Sequence, residues 1–412
     1  MPGAVPPKPS TATLRRCLRR TTETLARELA SPSVQLPDWN ELEWQVAEAA
    51  AALHGVSSLL ADALRWPGPR RWREFLDEQR RHTEERHLRM ARVLAAIGAR
   101  AGDAGIGIVP LKGAALHALG LYRPGERPMA DLDLLVREPD REPLARVLAT
   151  LGYRLSHVTA KDHVFVELDA PAPAALGEHR DNGIAVEIHT AIGECLPLAN
   201  VDISAQLWPA QLRAGLNSYP SAAALMSHLL LHAAGDMTTR GVRLVQLNDI
   251  ARLAPRLAAS DWGEVLRPSA AAPGAWWLLP PLSLTARYYR EAIPVCVLSA
   301  AAARCSRVLG YVCGRQRLSD VSGSDLRVAA FPGIVWAQSA TEALRYVGAR
   351  LRPSAALLAA RQNLACTQPW AAESPWSRLP QGRRVLKWLL ASQARPEALY
   401  TVSAALERGR HG

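Results

Sequence analysis

Residues 111–136 read LKGAALHALGLYRPGERPMADLDLLV. Two features of this stretch decide how the chain around it is read. The first is Lys112, directly before Gly113, in a chain whose only other lysines are Lys8, Lys161 and Lys387. The second is the pair Asp131 and Asp133 inside an otherwise apolar run. Side chains alternate across a strand. If 131–136 is a strand, the two aspartates share one face, and Leu132, Leu134 and Val136 share the other, against a core. Two carboxylates about 7 Å apart along a strand face can converge on a divalent cation, and magnesium prefers such oxygens. Without a cation the pair is repulsive and raises the pKa of one member. Taken alone, the D-x-D pattern also fits an edge strand with a solvated polar face.

A second strand is expected at 184–188. In AVEIHT (185–190), Glu187 and His189 share a face and Val186 and Ile188 oppose it. If this strand lies beside the first, Glu187 becomes a third carboxylate, and three carboxylates suit a two-metal site. Glu167, in HVFVEL (163–168), competes for that role, and Glu187 is preferred. His189 reads as a ligand, a substrate contact or a plain polar strand residue. Ahead of both strands, IGIVPL (106–111) reads as a short buried strand entering a helix from about 114. Such a junction presents backbone N–H groups that suit phosphate. Gly113 permits close approach, and Lys112 adds a compact charge with three donors. Arg127, four residues before Asp131, is a further candidate for a phosphate.

The organisation around these strands is legible in outline. A Pro-rich tail covers residues 1 to about 12. Helical periodicity follows to about 100, including a helix capped by Asp38 or Asn40 and stopped near Gly55, and a long one at 72–101. Residues 102–200 read as a small α/β unit with a mixed sheet, in which an amphipathic helix at 139–151 is closed by Gly152. Residues 201–412 read as helical, with helices at 222–234 and 242–257. The expected fold class is α+β, a small mixed-sheet core with N-terminal (1–101) and C-terminal (201–412) helical regions. His228 and His232 are four apart, a spacing that suits a metal. The helix expected at 222–234 offers no carboxylate to complete such a site.

The bulk numbers bound the possibilities. The chain has 412 residues, 49% apolar and 21% charged, as globular proteins do. No apolar run approaches the roughly 20 residues of a membrane helix, and no secretory signal is visible, so a cytoplasmic protein is expected. Six cysteines lack metal-ligand spacing, and Cys296, Cys305 and Cys313 are expected as buried thiols. The net charge is +11, which would suit a polyanion. The arginines are scattered and interleaved with acids, so solvated helix faces are the preferred reading over a nucleic-acid surface.

The order of these parts resembles the uncharacterised nucleotidyltransferase family of the polymerase-β-like superfamily. The resemblance is carried by VPLKGAAL, LYRPGERPMADLDLLV, the helix ending in LGY, VEIHTAI, and a helical continuation with His232 in LLLHAA and Asp249 in LVQLNDIARL. It spans about 88–257. It implies a nucleotidyltransferase core at 102–200 in which Asp131, Asp133 and Glu187 are catalytic and hold Mg2+, as a two-ion site. Lys112, Gly113, Arg127 and His189 would meet the nucleotide, and His232 and Asp249 would border the cleft. The implied activity is transfer of a nucleoside monophosphate from an NTP such as ATP, with release of pyrophosphate. A small molecule or peptide is the favoured acceptor and RNA, such as a tRNA end, the alternative. A catalytically inactive nucleotide-binding regulatory protein is the competing class. Where the superfamily commonly has Gly-Ser, this chain has Lys112-Gly113, and Thr190 stands where family members often carry an aromatic residue.

Overall fold

Four helices precede the first strand in the computed structural model, which describes residues 9–159, 162–197, 199–267, 274–354, 358, 379–390 and 394–409. Helices α1 (Thr11–Ala30) and α2 (Glu41–Leu53) pack on one another. Asn40 caps α2 reciprocally: its side chain accepts from the Glu43 N–H, and Glu43 accepts from the Asn40 N–H, both at 3.0 Å, which satisfies two free donors of the first turn. The helix ends ahead of Gly55, whose φ of +62° lets the chain turn away. After α3 (Ser57–Ala63) comes α4 (Arg70–Asp103), 34 residues and so about 50 Å long. It serves two cores. Trp72, Phe75 and Leu76 enter a large helical core, and Met90, Ile97 and Ala101 lie under the sheet.

The sheet-forming stretch runs β1 (Gly107–Pro110), α5 (Lys112–Ala118), β2 (Asp131–Leu135), α6 (Arg141–Thr150), β3 (Tyr153–Val158), β4 (Asp162–Glu167) and β5 (Ala185–His189). A hairpin of β6 (Gly193–Leu196) and β7 (Ala199–Asp202), the one-turn α7 (Ser204–Leu207) and β8 (Gly215–Leu216) follow. The six-stranded sheet has the order β3-β4-β5-β2-β1-β8. β2 and β5 are parallel, as are β1 and β8, and the other pairs are antiparallel. The fold is therefore α+β with a mixed sheet, as expected. Leu132, Leu134, Val186 and Ile188 face the core shared with α4 and α6. The aspartate face of β2 continues in Leu135, which joins the helical core, so the site lies between the sheet and the helices.

Some expectations are corrected. The stretch after 203, read as helical, holds only α7 before β8 adds an edge to the sheet. α5 begins at Lys112 rather than near 114. Helix α8 (Ala222–Thr239) runs five residues past its expected end, and α9 (Leu244–Leu253) is shorter than expected. Cys313 is buried and Cys305 partly so, but Cys296 is exposed. The C-terminal helix Pro396–Arg408 returns to pack on α2. Among the described residues, no helix is long and apolar enough to cross a membrane.

Candidate active site

Parallel pairing of β2 with β5 sets Asp133 opposite Glu187 and Leu135 opposite His189. His189 Nε2 lies 3.0 Å from Asp133 Oδ1 and 3.7 Å from Glu187 Oε2. One ligand atom from each of Asp133, Glu187 and His189 falls within 4.8 Å of the others. Asp131 shares their face two residues earlier and lines the same cavity, but it stands outside that tightest group. Lys112 Nζ reaches into the cluster, 2.8 Å from Asp133 Oδ1.

The electrostatics are those of crowded buried acids. Burial pushes Glu187 up to about 9, reinforced by Asp131, Asp133 and Asp162. Burial and the neighbouring Asp133 also raise Asp131. Burial alone would raise Asp133 too, but the Lys112 charge and the His189 hydrogen bond hold it well below the usual carboxylate range. Burial would depress Lys112, and the carboxylates of Asp133, Asp131 and Glu187 overcome it and raise the ammonium. The cluster is thus short of positive charge, and the Lys112 ammonium is a stand-in cation. Carboxylate oxygens with one imidazole are a donor set that fits a divalent cation.

A buried arginine on α4 fixes the two strands. Arg86, 3% exposed, donates to the carbonyls of Met129 (3.1 Å) and Ala130 (2.8 Å) just before β2. It also donates to those of Asn182 and Gly183 (3.2 Å) just before β5, and pairs with Glu178 at 3.1 Å. One planar guanidinium thereby holds both β2 and β5 at their entrances. Sequence reasoning missed it. The available signal was a charged residue on the same helical stripe as Met90, Ile97 and Ala101. Glu167 is engaged elsewhere, with Arg89 and the Tyr153 hydroxyl, and does not join the cluster.

The LKG turn is built differently from the expectation. Lys112 has a φ of +46°, a left-handed conformation that costs about 1 kcal/mol or more in a residue with a Cβ. Gly113 is required because a Cβ there would meet Arg127 Nη1 at 2.5 Å and Met129 at 2.9 Å. Arg127 and Asp249 are engaged with each other, through Nε to Oδ1 (2.8 Å) and Nη2 to Oδ2 (2.7 Å). The Tyr122 hydroxyl also donates to Asp249. This pair ties the loop before β2 to α9 while lining the cavity. Since α5 has only seven residues, a phosphate role for the turn rests on Lys112 and the backbone, not on a long helix dipole.

A cavity of about 500 Å3 is lined by Lys112, Gly113, Arg127, Asp131, Asp133 and Glu187. His232, on α8, borders it as well, 3.7 Å from Asp236. The full length of α8 supplies this carboxylate, two residues past the expected end of the helix. Burial, then the Lys112 charge, pushes His232 down to about 4. Arg243, at the start of α9, also lines the cavity. It is exposed, and its charge acts on Asp131 and Glu178. Nothing in the sequence separates it from the many other arginines.

Comparison with curated proteins and with solved structures finds no match. A family model described as "Uncharacterised nucleotidyltransferase" matches residues 40–290. That span starts at the cap of α2 and contains the whole sheet and every residue named in the cluster. The chain therefore belongs to this uncharacterised nucleotidyltransferase family.

Proposed function

We propose that the protein is a divalent-cation-dependent enzyme that transfers a nucleoside monophosphate from an NTP to an acceptor hydroxyl and releases pyrophosphate. The observation that carries this reading is the convergence of Asp133, Glu187 and His189 within 4.8 Å, with Asp131 on the same face and Lys112 beside them. Asp131, Asp133 and Glu187, with His189, would hold Mg2+, and their donors suffice for two ions. When bound, the cation supplies charge that stabilises the transferring phosphoryl group and the leaving oxygen.

The rest falls to the chain's own residues, chiefly by positioning and charge neutralisation. Lys112 releases Asp133 and turns its ammonium to the triphosphate. Arg243 offers an exposed guanidinium at the rim of the same cavity. Arg127, fixed by Asp249, and Gly113 shape the wall against which the nucleotide lies. Glu187 borders the space from which the acceptor must approach and, ionised once a bound cation balances the neighbouring carboxylates, takes the hydroxyl proton. Arg86 keeps Asp131 and Glu187 in register through backbone carbonyls.

The Lys112–Asp133 ion pair favours a second reading, a nucleotide-binding regulatory protein whose centre is neutralised by its own lysine. Pyrophosphate release separates the two. The full chain is incubated with Mg2+, each of the four NTPs and a panel of hydroxyl acceptors. Acceptor-dependent release supports the enzyme. Saturable NTP binding without release supports the regulatory protein.

A further inference from the structure

The family-matched span does not build the wall of the larger cavity alone. The match ends at residue 290, yet Glu397, Tyr400 and Thr401 of the C-terminal helix Pro396–Arg408 also line this cavity. The pattern of that helix explains how. Residues three and four apart share a helix face. Ala398, Val402 and Ala405 are buried and form the stripe by which the helix packs on α2. Glu397, Tyr400 and Thr401 form a neighbouring face, and that face meets the cavity.

The helix is pinned at both ends. The Arg395 N–H donates to the Leu326 carbonyl at 2.7 Å. The Arg71 side chain donates to the Ala405 carbonyl at 2.8 Å. Arg408 pairs with Glu78 at 2.8 Å, and its guanidinium lies over the Phe75 ring. The backbone that carries Tyr400 is thus in place before any ligand arrives, which lowers the ordering cost of binding.

Charge and apolar surface divide the described lining. Its cations are Lys112, Arg127 and Arg243. The C-terminal helix instead presents Glu397, an exposed carboxylate in its first turn. A triphosphate is drawn to the cations and repelled by Glu397. Tyr400, half-buried, is the one Phe, Tyr or Trp of the described lining, and Ala52, Leu53 and Val245 add apolar surface. A flat, uncharged ring system suits Tyr400, since every nucleobase has a π-face that stacks on an aromatic side chain.

We propose that Tyr400 is the platform on which the nucleobase of the NTP stacks. The C-terminal helix, outside the family-matched span, then sets this chain's affinity for nucleoside over bare phosphate. The proposal rests on the reading of this cavity as an NTP site and adds a binding residue to it.

The test titrates the full chain with Mg2+ by calorimetry, as wild type, Tyr400→Leu and Tyr400→Phe, each checked by thermal melt. The ligands are the four NTPs and inorganic tripolyphosphate, which lacks the nucleoside. Tyr400→Leu should raise the Kd of the best NTP about 10-fold, within the range of base–aromatic stacking, and leave the Kd of tripolyphosphate as in wild type. Tyr400→Phe keeps the ring and should bind the NTP nearly as wild type does. A further arm needs no variant: an azido-base derivative of the same NTP should photolabel the wild-type peptide that holds Tyr400, and unlabelled NTP should suppress the labelling. An unchanged NTP Kd in folded Tyr400→Leu, an equal loss for NTP and tripolyphosphate, a loss in Tyr400→Phe as large as in Tyr400→Leu, or label confined to peptides without Tyr400 would overturn the proposal. No saturable NTP binding by wild type would overturn the reading of the cavity as an NTP site, and this proposal with it.

Discussion

Lys112 Nζ sits 2.8 Å from Asp133 Oδ1, with a side chain held in a left-handed turn. The ammonium occupies the centre of a carboxylate cluster that burial would otherwise keep protonated. Its removal should therefore affect stability before it affects turnover. Lys112→Met leaves Asp133 buried with His189 as its remaining partner and removes the full positive charge beside it, which costs up to about 3 kcal/mol. We expect a clear fall in the urea midpoint without divalent cation and partial recovery on adding Mg2+. An unchanged midpoint would show that the pair contributes nothing. Lys112→Arg should also fail to match wild type in turnover, because the planar head cannot replace a compact charge in this space.

The two strand glutamates should separate by phenotype. Glu187→Gln is expected to lower kcat about a hundredfold or more with little loss of stability, since it relieves carboxylate crowding. Glu167→Gln disturbs only the Arg89 and Tyr153 contacts, so it should cost about 1 kcal/mol and leave kcat near wild type. Steady-state kinetics beside thermal melts give the comparison. The reverse order of kcat losses would show that Glu167 is the third carboxylate.

Arg86→Lys tests whether the site depends on its backbone clamp. A lysine cannot reach the carbonyls on both strands at once, and buried carbonyls left unpaired cost about 1–3 kcal/mol each. We expect a lower melting temperature and weaker Mg2+ binding by calorimetry together. A variant that melts lower yet binds Mg2+ as wild type does would assign Arg86 to folding alone.

His54 provides the pH test. It is fully buried between Ser324 and the Leu244 N–H, and burial, then Arg243, pushes it down to about 3. A group whose folded pKa lies below its unfolded value near 6.5 contributes stability above pH 6.5 and loses it as pH falls toward 3. The urea midpoint should therefore fall between pH 6.5 and 4, and His54→Gln should flatten part of that slope. An unaltered slope in the variant would place the acid sensitivity elsewhere.

The elements legible in the sequence were those with period and punctuation. The alternation in ADLDLLV and VEIH marked both β2 and β5 and their faces, and Asn40, Gly55 and Gly152 marked helix ends. β3 was missed because it is irregular at Leu155 and His157 and leaves Leu155 and Val158 exposed, which blurs alternation. β8 is two residues long, below any pattern. In the site, Asp131, Asp133, Glu187 and Lys112 were readable because each breaks an apolar or arginine-rich background. Arg86 and Arg243 were not, since their meaning lies in what they face. The mutual engagement of Arg127 and Asp249 joins residues 122 positions apart, and single-sequence pattern carries no such pairing.

The most direct measurement is transfer of label from an α-labelled NTP to acceptor, with Mg2+, by wild type, Asp131→Asn and Asp133→Asn, each checked for folding by thermal melt. Both aspartates share the face that meets Glu187, and removing a negative ligand should cost a large factor in metal-assisted transfer. We predict acceptor-dependent transfer and pyrophosphate release by wild type, and a loss of about a hundredfold or more in each folded variant. Turnover near wild type in either variant would contradict the assignment of the active site to this cluster.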